Sequence, residues 1–394
     1  MRILQVHNFY VYPGGEDAVV AAECEMLRAH GHELVQLHEH NARIADMNQA
    51  AVAARTFWSR ESRARVAQEI ERFKPDVCHF HNTFPLISPS AYQACNDAGV
   101  PVVQTLHNYR LVCPSPYLWR SGHACYDCLG RRVGWPAVVH SCYHGSAKTT
   151  AVIAGMNAVH TMLGTWTSRV DAYITPSHAA KRLLVRGGLP GEMIHVKPNM
   201  VEPDPGVGEH HGDFALFVGR LSPEKGLATL LNAWQAGDGP MPLMIVGQGP
   251  DAELATRNVK GVQWRGHLPK ERVFELMKEA AVLVFPSEWD ETFGLAVAEA
   301  FAAGLPVIAS RIGAALDLIT HRETGLLFDT GDAGDLLEKV LWARDNRQQL
   351  ALMAERARRI YEEQFTASGN YPMLMDIYRQ ASETSARRHK VRSK

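Results

Sequence analysis

The chain has 394 residues, of which 46% are hydrophobic and 21% are charged, and its formal net charge is −1. This length is enough for two domains, and the composition is that of an ordinary globular protein rather than a disordered or fibrous one. Because the net charge is close to zero, there is no overall attraction to nucleic acid, and we expect no nucleic-acid partner.

The N-terminus shows no secretory signal. MRILQVHNFYVYPGG has one basic residue followed by a strand-like run, whereas a signal peptide needs a charged region and then a long apolar core. The most apolar long segment, AVIAGMNAVHTMLG, is interrupted by glycine, asparagine and histidine and is too short to span a membrane. The sequence therefore predicts a cytoplasmic protein in which this segment is a buried helix.

The first half of the chain alternates short apolar runs with helical patterns, as βαβ units do. RILQVHN predicts a first strand, YPGGE a loop, and DAVVAAECEMLRAHG a helix. Further strands are predicted at HELVQLH, PDVCHFHN, VPVVQTLHN, DAYITPS and MIHVKPN, with a helix through AAKRLLVRG after DAYITPS. Ligands of such parallel sheets bind beyond the carboxyl ends of the strands, so the loops after each strand are the candidates for function.

The pattern then starts again. FALFVGR, PLMIVGQGP, VQWRGHL, AVLVFPS, PVIASR and TGLLFD are predicted strands with helices between them, GLATLLNAWQA being the first helix. The segment NMVEPDPGVGEHHGD is rich in proline, glycine and charge and predicts a domain boundary. We therefore expect an α/β protein with two doubly wound, Rossmann-like domains, over residues 1–197 and 198–368.

Two cations flank the start of the helix that follows the strand FALFVGR. Arg220 ends that strand and Lys225 follows five positions later, with Pro223 and Gly226 at the helix start. Arginine can grip two oxygens while lysine supplies a mobile charge, and a helix N-terminus favours anions. This pattern is typical of a diphosphate site, and a simple surface cluster is the alternative.

A second loop carries two glutamates. In FPSEWDETFGLAVAEA, Ser287 and Glu291 lie in the loop, Gly294 lies near the helix start, and Glu299 falls within the helix. A carboxylate among alanines is costly without a partner, and a ribose diol would supply two hydroxyl donors. Alternatively, Glu291 caps the helix and Glu299 pairs with an arginine.

The passages GRLSPEKG, IVGQGP, PSEWDETFGLAVAEAFAAGLPVIAS and TGLLF resemble the signature of family-four glycosyltransferases. The N-terminal half resembles the same family more loosely, through the PGG loop and TLHN. The resemblance implies the GT-B fold, in which two Rossmann-like domains face each other across a cleft. It also implies transfer of a sugar from a nucleotide donor with retention of anomeric configuration.

The resemblance assigns roles residue by residue. It implies that Arg220 and Lys225 bind the donor diphosphate, that Glu291 orients the donor sugar, and that Glu299 holds the ribose hydroxyls. The complete implied set has His107, Arg220, Lys225 and Glu291 as catalytic residues, and Gly14, Gly15, Gly247, Gly249, Arg265, Ser287, Phe293, Gly294, Leu295 and Glu299 as donor-binding residues.

Within this set the finer roles are also implied. Gly247 and Gly249, with the loop around Arg265, would lie along the nucleotide base, and Gly14 and Gly15 would approach phosphates or acceptor. His107 would face the sugar across the cleft, although a histidine at a strand end is otherwise more often a structural residue.

The implied mechanism needs positioning and electrostatic stabilisation rather than a protein nucleophile. In the resembling family the leaving diphosphate helps to deprotonate the acceptor. No Asp-x-Asp motif is positioned for the diphosphate, so two cations can replace a divalent ion and no cofactor is required for catalysis.

The implied partners are a UDP- or GDP-linked sugar donor and a glycan or lipid-linked oligosaccharide acceptor, in bacterial surface polysaccharide assembly. An epimerase or phosphorylase of the same fold, or a sugar-nucleotide sensor without catalysis, remains the alternative.

The resemblance also predicts that a C-terminal helix, over residues 369–386, returns to the N-terminal domain. Tyr371, Leu374 and Tyr378 supply an apolar stripe for that contact. The basic tail 387–394 is predicted to be solvated and disordered. A contact with anionic lipid headgroups, peripheral at the inner face of the membrane, is the alternative.

Four of the seven cysteines cluster in a segment, residues 108–145, that we expect to be a loop excursion of the first domain. Cys113, Cys125, Cys128 and Cys142 could close a tetrahedral structural zinc site. Structural zinc usually shows two Cys-x-x-Cys pairs and only one is present, so buried free thiols or a cytoplasmic disulfide are the alternative.

Overall fold

The computed structural model describes residues 1–11 and 14–392, so Tyr12 and Pro13 of the predicted first loop and the last two residues of the basic tail lie outside the described residues. The strands are β1 Arg2–Phe9, β2 Glu33–His40, β3 Val77–Phe80, β4 Val102–Thr105, β5 Trp119–Arg120, β6 His123–Ala124, β7 Ala172–Thr175, β8 Ile194–Val196, β9 Ala215–Val218, β10 Leu243–Val246, β11 Val262–Trp264, β12 Val282–Phe285, β13 Val307–Ser310 and β14 Leu326–Phe328.

The α-helices are α1 Gly15–Ala29, α2 Gln49–Phe57, α3 Arg60–Phe73, α4 Ser90–Asp97, α5 Trp135–Val139, α6 Ala147–Met162, α7 Thr165–Ser168, α8 His178–Arg186, α9 Leu227–Ala236, α10 Ala252–Ala255, α11 Lys270–Glu279, α12 Leu295–Ala302, α13 Ala315–Leu318, α14 Ala333–Asp345, α15 Arg347–Ile360 and α16 Ala367–Arg392. Short 3₁₀ turns cover Asn41–Asp46, Gly191–Met193 and Pro223–Lys225, and a π turn covers Tyr361–Phe365.

The strands form two six-stranded parallel sheets, which confirms the predicted pair of Rossmann-like domains. The first sheet has the order β2-β1-β3-β4-β7-β8 and the second has the order β11-β10-β9-β12-β13-β14. Strands β5 and β6 form a separate antiparallel hairpin. Each sheet was predictable because its central strands are buried on both faces and therefore read as continuous apolar runs.

The core of the second sheet has one apolar cluster on each face. Phe301, on α12, belongs to the cluster that also contains Leu283 of β12, whereas Trp234, on α9, belongs to the cluster that contains Val282. Neighbouring residues of one strand thus point to opposite faces. The arrangement fixes the two helices that follow β9 and β12, and these helices start at the loops that carry the candidate site.

The chain divides into two compact units. The first unit contains residues 1–118, 126–198 and 370–394, and the second contains residues 119–125 and 199–369. The hairpin residues 119–125 therefore group with the second unit, whereas the sequence assigned the whole excursion 108–145 to the first domain.

The C-terminal helix α16 packs within the first unit. Tyr378 is fully buried and its hydroxyl lies 2.8 Å from His79 Nδ1 on β3, and the Tyr371 ring stacks on His30 at 3.7 Å between centroids. The helix continues without a break through Arg392, and Arg388 forms an ion pair of 2.9 Å with Asp171. The prediction of a disordered tail from residue 387 is therefore wrong up to Arg392, because no local pattern around Arg388 indicates its buried carboxylate partner.

The helices between β2 and β3, over residues 41–73, have no counterpart in the sequence-based prediction. The segment predicted as a buried helix is α6, but its end is exposed at Val159 and Met162. In the part of the chain that the structure describes, no helix combines the length and apolar character needed to cross a membrane.

Candidate active site at the switch point of the second sheet

The second sheet reverses its strand order between β9 and β12. From β9 the chain proceeds outward through β10 and β11, then returns to the other side of β9 with β12 and continues through β13 and β14. A doubly wound sheet opens a crevice at such a point, beyond the carboxyl ends of the two central strands. The two loops that carry the predicted cations and glutamates are the ones that follow β9 and β12.

The loop after β9 places Arg220 in contact with an acidic partner. Arg220 Nη2 lies 2.5 Å from Glu224 Oε1, and its Nε donates to Ser222 Oγ at 3.2 Å. The Ser222 hydroxyl also donates to the same glutamate oxygen at 2.7 Å. Burial alone would raise the pKa of Glu224, but Ser222 and Arg220 outweigh it and hold that pKa below its ordinary value. A charged carboxylate therefore orients the guanidinium, whose side chain is still about half exposed.

Lys225 and Glu291 meet each other in this structure. Lys225 Nζ forms an ion pair with Glu291 Oε1, and Ser287 Oγ donates to the same oxygen at 2.8 Å. The Lys225 ammonium also lies 5.5 Å from the centroid of the Trp289 ring. Three of the residues singled out from the sequence thus form one hydrogen-bonded group, although they come from loops more than sixty positions apart. The alternative in which Glu291 caps the following helix has no support, because the α12 N-cap is Gly294 and carries no side-chain hydrogen bond.

The two loops touch through their backbones at Gly226. This residue has φ +71°, and a Cβ built on it would lie 1.8 Å from the carbonyl oxygen of Pro286. Only glycine fits such a left-handed position against another backbone. The contact places the residue after Lys225 directly against the residue before Ser287.

Glu299 is partly buried on α12, and the described residues give its carboxylate no hydrogen bond and no ion pair. Burial raises the pKa of Glu299 to about 7, and the positive charge of Lys270 opposes that rise. Among the described residues, Glu299 therefore has no arginine partner, and that alternative is wrong. Because this carboxylate has no hydrogen bond to break among the described residues, it can accept hydrogen bonds from hydroxyl groups at no such cost.

The glycines after β10 are required by packing against the Arg220 loop. A Cβ on Gly247 would lie 1.8 Å from the Gly219 carbonyl oxygen, and one on Gly249 would lie 2.2 Å from the Leu221 carbonyl oxygen. Backbone packing therefore requires glycine at both positions, independently of the donor-binding role implied by the resemblance.

The other predicted donor residues of this unit follow β11 and β12. Arg265 follows β11, has an exposed side chain, and donates its backbone N–H to Ile245 O at 2.9 Å. Phe293 is buried, Gly294 has φ +83°, and Leu295 is the first residue of α12.

The remaining predicted residues belong to the first unit. His107 follows β4 and its Nε2 lies 3.0 Å from His81 Nδ1. Gly14 is the N-cap of α1 and its N–H donates to Asp17 Oδ2 at 2.9 Å, so this N–H already has an acceptor. Gly15 is the first residue of α1 and is exposed.

Comparison with known proteins assigns both halves of the chain to one group. Residues 13–205 match the model of Glycosyltransferase Family 4, and residues 207–360 match the model of Glycosyl transferases group 1. The chain belongs to glycosyltransferase family 4.

Curated relatives of the chain differ in the sugar that they are named for. It is 35% identical to D-rhamnosyltransferase WbpZ of Pseudomonas aeruginosa over 39% of the chain, and 34% identical to a GDP-mannose-dependent alpha-mannosyltransferase of Corynebacterium glutamicum over 35% of the chain. It is 26% identical to sulfoquinovosyl transferase SQD2 of Arabidopsis thaliana over 75% of the chain. The matches span 42%, 33% and 54% of the lengths of these three relatives, respectively.

Solved structures share the fold over almost the whole length. Anabaena Alr3699/HepE in complex with UDP and glucose has a TM-score of 0.66 at 18% identity, covering 98% of this chain and 99% of that one. Sucrose-phosphate synthase from Thermosynechococcus elongatus has a TM-score of 0.69 at 16% identity, covering 96% and 98%. At these identities the likeness establishes the two-domain GT-B type of fold.

The four clustered cysteines form no disulfide among the described residues. Burial raises the pKa of Cys113 to about 12, and Cys128 and Cys142 add to that rise, so both of these thiols lie within electrostatic range of Cys113. The zinc site stays a prediction. Zinc would have to displace protons that the unliganded fold holds tightly.

If the four cysteines form a structural zinc site, protein purified without added metal should contain about one equivalent of zinc, measured by elemental analysis. Cys113→Ser and Cys128→Ser should each lose the metal, because a structural site needs all four thiolates. Cys95→Ala is the matched control, since Cys95 is also buried but lies outside the cluster on α4. Less than about a tenth of an equivalent, with the four thiols open to titration, would rule out the site.

Sequence reasoning missed the residues that position the predicted ones. Glu224 could have been found, because it lies four positions after Arg220, a spacing at which opposite charges meet in a helical turn. His81 could have been found from the alternation in HFHN at the end of β3, which places two histidines on one face of a strand. Glu23 lies beside His81, and the sequence marks it only as a carboxylate within an apolar helix face.

Proposed function

We propose that this protein transfers a sugar from a nucleotide-sugar donor to a glycan or lipid-linked acceptor, with retention of anomeric configuration. The observation that carries the proposal is the convergence of Arg220, Lys225, Ser287 and Glu291 at the switch point of the second sheet. Two cations and a carboxylate there match the needs of a diphosphate and a sugar.

In the proposed reaction the positive charges act on the leaving group. Negative charge grows on the diphosphate as the glycosidic bond breaks, and Arg220 and Lys225 stabilise it. Glu224 and Ser222 hold the guanidinium in place before substrate arrives, so little reorganisation is needed.

The two glutamates take different parts of the donor. When the diphosphate binds the Lys225 ammonium, the ion pair between Lys225 and Glu291 is lost. Glu291 keeps its hydrogen bond from Ser287 and can accept another from a sugar hydroxyl. Glu299 accepts the ribose diol. For the first unit, we propose that His107 contacts the reacting sugar.

We propose a donor linked to UDP or GDP. Relatives are named as GDP-mannose-dependent and a similar structure contains UDP, so both bases need testing. We propose a role in surface polysaccharide assembly by analogy with the family.

A turnover assay tests the transferase proposal. The protein is incubated with UDP-glucose, UDP-N-acetylglucosamine or GDP-mannose, with and without glycan acceptors, and free nucleotide and the anomeric proton of the product are measured by NMR. Nucleotide release with a retained anomer supports the proposal. Binding without release would favour a sensor, and a changed sugar still attached to the nucleotide would favour an epimerase.

Replacing Arg220 with alanine should weaken binding of UDP or GDP about 10- to 100-fold, because one or two charge-assisted hydrogen bonds to the diphosphate are lost. Dissociation constants from isothermal titration check this. Arg272→Ala is the matched control, since Arg272 also pairs with a glutamate of the same unit, Glu275 on α11, but lies on an exposed helix face. Equal affinities in the two variants would contradict the assignment of Arg220.

A further inference from the structure

Exposed apolar side chains are concentrated in one part of the first unit. Among the described residues, fourteen large hydrophobic side chains are exposed, and six of these fall between residues 133 and 163. The six, called the apolar patch below, are Val133, Trp135, Val139, Val159, Met162 and Leu163. Single exposed apolar side chains are ordinary on a protein surface, whereas a group of them in one place marks an interaction surface.

The packing of α5 on α6 brings the two halves of the apolar patch together. On α5 the patch residues Trp135 and Val139 are four positions apart, and those at the end of α6 are three and four positions apart. Each helix therefore presents its patch residues on one face. The two helices meet at Gly134, where a Cβ would lie 3.9 Å from the Cβ of Ala154.

A cavity of about 160 Å³ lies beside both halves of the apolar patch. Gly134, in the α5 half, lines this cavity, and so do Thr161 and Gly164, which flank Met162 and Leu163. The two halves of the patch therefore border the same opening.

The chain around the apolar patch is basic. Residues 129–170 contain four lysines or arginines and no aspartate or glutamate, whereas acidic residues make up 42 of the 394 residues of the chain, or about one in nine. Arg131 and Arg132 line the cavity, and Arg131 Cζ lies 5.4 Å from the centroid of the Trp135 ring. The apolar side chains thus lie among positive charges, which favour a negatively charged partner.

We propose that the apolar patch is a docking surface for a membrane that contains anionic lipids. Met162 and Leu163 enter the boundary between headgroups and acyl chains, and Arg131 and Arg132 bind lipid phosphates. Trp135 suits the same boundary, because its ring is apolar and its N–H is polar.

A lipid surface fits this arrangement better than a protein partner does. Cationic and apolar side chains follow each other within a few positions, from Arg131 and Arg132 to Val133 and Trp135. In a membrane the phosphates lie directly above the acyl chains, so one surface satisfies both kinds of side chain. A protein partner would need an apolar surface surrounded by acidic residues.

The docking surface is connected to the loop that carries His107. Leu111 and Val112, in that loop, line the same cavity as Arg131. A lipid-linked acceptor lies in the membrane, so docking brings its headgroup towards the first unit. This consequence rests on the proposed transferase function, whereas membrane binding itself does not.

Vesicle sedimentation tests the proposal with the full chain and without any donor. We expect wild-type protein to bind vesicles of phosphatidylglycerol and phosphatidylcholine about tenfold more tightly than vesicles of phosphatidylcholine alone, because the positive charges attract the anionic lipid. Met162→Ser/Leu163→Ser should weaken binding to the mixed vesicles about tenfold, because two apolar side chains no longer enter the acyl region. Arg131→Gln/Arg132→Gln should weaken it about tenfold at low salt and much less at high salt.

Leu352→Ser is the matched control for the apolar variant, since Leu352 is 50% exposed on α15 of the second unit. Arg387→Gln is the control for the charge variant, since Arg387 is exposed in the basic tail. Both controls should bind the mixed vesicles as wild type does, and the unfolding midpoints of all variants should be compared.

Tryptophan fluorescence reports which side chain enters the lipid. Lipids with brominated acyl chains should quench part of the wild-type fluorescence, and Trp135→Phe should remove that quenching while the protein still binds. Quenching that persists in Trp135→Phe would contradict insertion at the apolar patch.

Three further results would overturn the membrane proposal. They are a wild-type protein that does not bind the mixed vesicles, binding that Met162→Ser/Leu163→Ser leaves unchanged, and binding that Arg387→Gln abolishes. If sedimentation velocity shows a wild-type dimer that Met162→Ser/Leu163→Ser dissociates, and vesicles are not bound, the patch joins two copies of the chain instead. Vesicle binding by a protein without transferase activity would refute the proposed function and leave the docking surface standing.

Discussion

Replacing Glu291 with alanine should lower turnover by about three orders of magnitude at saturating donor, and Lys225→Ala should do the same. The structure joins these residues through one ion pair, so each substitution removes a charge at the reacting end and also frees its partner. The two losses should be strongly non-additive in the double variant, because the residues act as a unit. The values of kcat for the two single variants and the double variant check this.

Glu288→Gln is the matched control for these variants. Glu288 lies in the same loop, but its carboxylate accepts from the Thr229 hydroxyl at 2.6 Å, and it forms no ion pair with Lys225 among the described residues. We expect this control to retain most of the wild-type turnover, and the unfolding midpoints of all variants should be compared. Near-normal turnover in Glu291→Ala would contradict the assignment of Glu291 to the donor sugar.

Donor binding should weaken as the pH falls below about 7, and Glu299→Gln should remove that dependence. The carboxylate accepts the ribose hydroxyls best in its ionised form, whereas in the free protein it takes up a proton near pH 7. Below this value binding must first expel the proton, so affinity should fall by up to about tenfold per pH unit. At pH 8, Glu299→Gln should raise the donor KM about 10- to 100-fold with little change in kcat.

The same substitution should make the unliganded protein more stable at pH 8. The pKa of Glu299 is raised from its ordinary value of 4.5 to about 7 on folding, so its contribution to stability is fully present below pH 4.5 and is lost as the pH rises through 7. Glutamine has no proton to lose. The gain in thermal midpoint of Glu299→Gln should therefore be large at pH 8 and absent near pH 4. A gain that does not depend on pH would show that ionisation of Glu299 is not its cause.

The sequence predicted the two sheets well because buried parallel strands are continuous apolar runs bounded by polar turns. FALFVGR and AVLVFPS show this directly, and their positions put Arg220 and Glu291 in loops after central strands. The order of strands within a sheet is a long-range property. It could not be obtained from any single stretch, and it is what makes those two loops neighbours.

Pairings between distant residues were the part that the sequence could not supply. Nothing in the local pattern around Glu23 indicates that it meets Lys197, and nothing in the basic C-terminal segment indicates that Arg388 meets Asp171. Each pair stabilises a buried charge that would otherwise be costly, and such compensation becomes visible only when the chain has folded.

The membership of α16 in the first unit has a consequence for biosynthesis. Residues 370–394 are synthesised after residues 1–369, yet Tyr378 fills space beside β3, which is made some three hundred residues earlier. The core of the nascent first unit therefore stays incomplete until residues 370–394 have been made. Most of the second unit, residues 199–369, is a continuous stretch that can fold as it emerges. During that interval the apolar groups beside β3 are open to chaperones, and premature termination near residue 370 would leave them exposed permanently.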